Sequence, residues 1–138
     1  MTYNATTISA LIIALAASVF LALTYFKAGK FKLTAPIDVL VGAGLGWTAQ
    51  IPAGLVRTIA LLELAGAAGV ILSPIAVLVG LTWAGVLAVA AAIGLVLVMI
   101  VAIIMHGARG ETKYTIKINL ALLGAAVIAT AGYLLAFF

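Results

Sequence analysis

The ionisable chemistry open to this 138-residue chain is sparse: three acids, seven basic residues, one histidine and no cysteine. Glu63 stands out by position. It lies six residues beyond Arg57, about 9 Å deeper along a helix that rises 1.5 Å per residue, and a charge-free run follows it to residue 105. A carboxyl inside a membrane costs on the order of 2.5–3.5 kcal/mol on insertion scales and normally faces a bundle interior or a wet cavity. Gly66 and Ala67 follow at i+3 and i+4 and share its face, which suits close contact with another helix. Two roles stay open for such a group. It fixes its helix through a buried hydrogen bond or ion pair, or it handles a ligand or proton. Arg57 is not its partner on the same helix, because six residues leave the two side chains about 120° apart. The partner must come from another helix or from a bound molecule. Arg57 itself is expected to snorkel to the lipid headgroups.

The remaining polar residues gather near the same end. His106 closes one apolar stretch and Asn119 opens the next. An imidazole there can exchange protons with water or hydrogen-bond a carbonyl. It serves equally well against the helix dipole and the last exposed carbonyls. Lys27, Lys30 and Lys32 are expected to contact anionic lipid or set topology. With Arg109, these residues make one polar cluster: Lys32, Arg57, Glu63, His106, Arg109 and Asn119. The composition excludes a disulfide framework, a thiolate site and a cysteine nucleophile. With one histidine and three acids, no protein-built metal site is expected. The run Gly42-x-Gly44-x-Gly46-Trp47 lacks dinucleotide-binding spacing and follows no strand.

The elements that must position these groups follow from where charge is missing. The chain is 67% hydrophobic and 7% charged, against about 25% charged in an ordinary soluble domain. Its solvent is a bilayer. Seven basic residues are too few to coat a nucleic-acid groove, so no nucleic-acid partner is expected. Residues 1–26, 64–105 and 118–138 carry no Asp, Glu, Lys or Arg. A span needs about 20 mostly apolar residues to cross roughly 30 Å of hydrocarbon. Pro74 removes a donor and disfavours helix in the residue before it, which predicts a break near Leu72–Ser73. Four spans are expected over residues 6–26, 53–72, 81–105 and 117–137, with Trp83 at an interface. The apolar, Gly-rich stretch 36–50 reads as a short interfacial segment between the first two.

The expected fold is an all-α, up-down bundle of four transmembrane helices forming one domain over residues 1–138. Small residues at helical spacing should pack it: Ala65 with Gly69, Ala88 with Ala92, and Ala121 with Ala125 and Ala129. A homodimer seam is the alternative use of those stripes. All seven basic residues fall on one side of this arrangement, so the positive-inside rule makes that side cytoplasmic and places both termini outside a cell membrane. Met1–Ser9 has no basic residue, as a cleaved leader would require, so the first span is expected to be retained.

Taken in order, these residues resemble the DoxX-like family of small four-helix membrane proteins. The likeness runs through Phe26-Lys27-Ala28-Gly29 with Lys32-Leu33, then Gly46-Trp47. It continues through Val56-Arg57-Thr58-Ile59 and Leu62-Glu63-Leu64-Ala65-Gly66, and ends in His106-Gly107-Ala108-Arg109-Gly110-Glu111 followed by Asn119. The resemblance implies a quinone as ligand and a membrane redox complex as partner, with no covalent cofactor. On that footing a non-catalytic, quinone-associated subunit is favoured, with Glu63 and His106 on the quinone head group. A stand-alone carrier of a small hydrophobic molecule is the alternative. An acid/base lipid-modifying enzyme ranks last, since no nucleophile–base pair is visible.

Overall fold

The computed structural model describes residues 4–138 and is built of helices. Met1–Tyr3, at the end placed outside by the charge rule, lie outside the described residues. Helix α1 covers Ala5–Thr34, α2 Ile37–Gly42, α3 Ala53–Leu78, α4 Ala84–Ala108 and α5 Thr112–Phe137, with a 3-10 turn over Gly46–Ala49. Among the described residues, α1, α3, α4 and α5 are long and apolar enough to cross a membrane. They form a four-helix membrane bundle in which α1 packs on α3 and α5, and α4 packs on the same two. Helix α2 and the 3-10 turn make a short segment between α1 and α3. Its Leu40 and Trp47 bury themselves with Val56 in a small separate core beneath the basic end.

The helices run further than the charge-free blocks. The first span, expected to end at residue 26, continues to Thr34. Its 30 residues measure about 45 Å at 1.5 Å each, so its last turns extend past the hydrocarbon with their lysines. Asn4 starts it through a reciprocal capping box with Thr7. The fourth span begins at Thr112 rather than at residue 117. Charge ends the hydrophobic layer without ending the helix.

Pro74 does not break its helix, and this corrects the expected end at residue 72. Helix α3 continues through Pro74 to Leu78, and α4 starts at Ala84 after a turn at Gly80, whose φ of 103° suits glycine. Proline at position 74 has no N–H to give the carbonyl of Val70, four residues back. The hydroxyl of Tyr133, from α5, donates to that carbonyl at 2.7 Å. With its one proton spent there, Tyr133 accepts from Ser18 of α1, also at 2.7 Å. All three groups are fully or nearly fully buried. Prolines persist in membrane helices when a neighbour satisfies the freed carbonyl, and here two neighbouring helices supply that relay.

Small residues set the helix spacing, though not all of the expected ones. A Cβ on Gly69 would come within 2.6 Å of Ala91, and one on Gly132 within 2.8 Å of the Ala10 carbonyl. Gly29 of α1 meets the backbone of Ala60 on α3 in the same way. Ala88, Ala92 and Ala129 are buried as expected. Ala65 and Ala121, by contrast, are exposed and Ala125 is only partly buried, while α5 packs through Ala126 and Gly132 together with Ala129. Tyr133 lies on this same buried face of α5.

Candidate functional site

Lys32, placed by the sequence among lipid-facing lysines, turns into the bundle. It is 8% exposed and its ammonium pairs directly with Glu63 Oε1. This corrects its assignment to headgroups and supplies Glu63 with the partner expected from another helix. The extension of α1 to Thr34 makes the pairing possible, since Lys32 stays on the helix, in register with buried Tyr25 and Gly29. Breaking a buried pair of this kind by removing one partner costs roughly 3–5 kcal/mol.

Arg57 is also reassigned. It does not reach out to headgroups. Its guanidinium donates to the carbonyls of Lys32 and, at 2.7 Å, Ala35. Those are among the carbonyls that the end of an α-helix leaves without partners. A planar fork of donors suits two adjacent carbonyls as an ammonium does not. Arg57 therefore fastens the end of α1 and, with it, the position of Lys32.

At the other side of the basic end, α4 turns into α5 through Gly110, whose φ is 70°. That turn brings Glu111 back onto His106: the imidazole Nδ1 donates to Glu111 Oε2 at 2.7 Å. Arg109 Nε donates to Glu111 Oε1 at 2.6 Å, and its Nη1 donates to Gln50 in the α2–α3 connection. These hydrogen bonds, His106 first and Arg109 second, hold the Glu111 carboxyl below the usual carboxylate range. An ionised carboxylate only accepts, so Nδ1 carries the proton and His106 keeps Nε2 for another partner. Glu111 and Gln50 were not singled out from sequence. Only the placement of Glu111 five residues past His106, across a glycine-containing turn, hinted at the contact.

A cavity of about 360 Å³ joins these groups. Lys32 of α1, Glu63 with Ile59 and Leu62 of α3, and Leu45 with Trp47 of the connecting segment line it. Helix α4 closes it with Leu97, Val98, Val101, Ala102, Met105 and His106. Leu62, Leu97 and Val101 on its rim are 57%, 58% and 65% exposed, so it opens sideways between α3 and α4, toward lipid. Glu63 Oε2 is buried and has no hydrogen-bond partner. Of the six expected site residues, the cavity brings together Lys32, Glu63 and His106. Arg57 and Arg109 brace its frame. Asn119 is buried on α5 outside the cavity lining, and its Nδ2 lacks a partner, as does the hydroxyl of Tyr25. Among the described residues no three His, Asp or Glu side chains converge, so the donor set is one lysine–glutamate pair and one histidine.

The fold and this polar chamber define a small integral membrane protein with four apolar helices and an ionic group buried at one end. Residues 16–131, most of the chain, match the DoxX-like family, and the chain belongs to that family. Comparison with curated proteins and with solved structures yields no match.

Proposed function

We propose that this protein binds the head group of a quinone-type molecule drawn sideways from the membrane, as a binding subunit of a membrane redox complex. One observation carries the reading: a single laterally open cavity joins the Lys32–Glu63 pair to His106 while Glu63 Oε2 stands without a partner. A flat ring bearing two oxygens suits a chamber in which the Lys32–Glu63 pair and His106 share one cavity with otherwise apolar walls. Lys32 donates to a carbonyl of the quinone, Glu63 Oε2 accepts from a hydroxyl of the quinol, and His106 Nε2, whose lone pair is free while Nδ1 carries the proton, accepts from the quinol's other hydroxyl. The cavity lining holds no Ser, Thr or Cys to serve as a nucleophile, and its one lysine is held in an ion pair, which favours binding over self-contained catalysis. The quinone and the redox partner come from the family resemblance, and the chamber's chemistry bears on the quinone alone.

The lateral opening also suits a stand-alone carrier of a hydrophobic molecule, and the partner separates the two readings. Protein extracted with its native lipids is expected to carry quinone recoverable in organic solvent and to retain a redox protein after mild crosslinking. Quinone without a partner points to the carrier, and recovery of neither quinone nor partner overturns the proposal. Glu63→Gln is expected to lower bound quinone at least tenfold. Because that change strands the Lys32 charge, Lys32→Met combined with Glu63→Gln removes both charges together, is expected to spare the fold and should show the same loss.

A further inference from the structure

We infer that the molecule held in the cavity is an amphiphile with one apolar chain, and that the chain lies in a groove between α3 and α4. This deepens the reading of the cavity as a head-group site and rests on it. A second hollow, of about 440 Å³, meets the first along Leu62, Leu97 and Val98, which line both. Its remaining walls are small: Ala65, Gly66, Ala91 and Gly94 over buried Leu95. No polar side chain lines it. It follows α4 from Val98 back to Ala91, about 10 Å at 1.5 Å per residue, away from the charged end. Cavity and groove together track α4 from His106 to Ala91, about 22 Å. Along that length the lining passes from a lysine–glutamate pair and an imidazole to hydrocarbon and glycine. A buried carboxylate oxygen with no partner sits at the polar end. That grading matches a polar ring bearing one chain.

Lipid tails are as apolar as leucine, so a chain leaving the bilayer for this groove gains little from burial alone. The groove acts by shape, and its signature is a steric one. Gly94 makes that signature measurable. A Cβ there meets nothing within 4 Å and Gly94 lines the groove, so Gly94→Leu is expected to fill it with no clash at its first carbon. Gly66 would not serve, since its Cβ would fall 2.4 Å from Leu95.

The test uses the full chain in phosphatidylcholine nanodiscs with Trp83→Phe. Trp47, in the cavity wall, is then the only tryptophan and reports occupancy by quenching. Two probes are titrated, with concentration expressed as mole fraction in the lipid: duroquinone, and its analogue with one methyl replaced by decyl. Gly94→Leu is expected to weaken the decyl probe at least tenfold and to leave duroquinone within twofold. Ala65→Leu, from the exposed opposite wall, should do the same. Gly124→Leu, at an open and exposed position of α5, should change neither probe. If both probes respond equally to Gly94→Leu and Ala65→Leu, or neither responds, the groove holds only bulk acyl chains and the inference fails. If duroquinone does not quench Trp47 in the parent protein, the head-group reading falls first and takes this inference with it.

Discussion

Glu111 shows how much one side chain can settle at the edge of a nearly uncharged protein. It accepts from both His106 and Arg109, and those bonds hold its carboxyl below the ordinary carboxylate range. The folded-state pKa is therefore depressed relative to the unfolded chain. Stability from this group is fully present above the unfolded value and is lost as pH falls through the lowered folded one. Thermal unfolding in micelles between about pH 6 and pH 3 checks this, the ordinary glutamate pKa being near 4.3. The melting temperature of the parent should exceed that of Glu111→Gln at the upper end, and the gap should close toward the lower end. A gap that stays constant across the range would contradict the assignment. Glu63 was legible as the unusual residue because its position inside a span is a one-dimensional fact. Its partner was not, because Lys32 lies 31 residues away and faces inward only if α1 continues past its lysines.

At the scale of elements, the misplaced boundary at Pro74 is the most instructive. Local rules end a helix before proline because a carbonyl loses its donor and the ring crowds the preceding turn. Here the helix runs on through Pro74, and the freed Val70 carbonyl is satisfied from α5, 63 residues away. No window around Pro74 contains that information. The relay implies a specific coupling. Tyr133→Phe keeps the stacking on Phe137, whose ring centroid lies 5.7 Å away, but removes the hydroxyl. Leaving a buried acceptor without a donor costs about 1–3 kcal/mol. In a Pro74→Ala background the restored N–H at position 74 reclaims Val70, so the same Tyr133→Phe change should cost markedly less. A double-mutant cycle by unfolding in detergent measures the difference. Additive costs would show that the two sites are independent. The four spans themselves were legible, since length and apolarity report crossing a bilayer without reference to any partner.

For the molecule as a whole, charge is segregated. Lys27, Lys30, Lys32, Arg57, Arg109, Lys113 and Lys117 all sit at the end that holds the cavity. By the positive-inside rule we expect that end to face the cytoplasm and both termini to lie outside. A reporter active only outside the membrane should score at either terminus, and a cytoplasmic signal from either one would refute the orientation. The bundle architecture and its basic end could be read from the sequence. The chamber could not, because its lining comes from α1, the α2–α3 connection, α3 and α4 and depends on side-chain directions across all of them.

The opposite end has its own consequence. The connection between α3 and α4, residues 79–83, carries no charged side chain. If the basic end stays on the side of synthesis, this hairpin crosses with nothing ionic at its tip. A lysine, arginine or aspartate at a helix centre costs about 2.5–3.5 kcal/mol on insertion scales, and here that barrier is absent. Helices α3 and α4, which form most of the chamber wall, are therefore suited to enter the bilayer as one piece during biogenesis. An arginine introduced at this tip would be expected to impede assembly of the site from about 20 Å or more beyond it, at 1.5 Å per residue along α3.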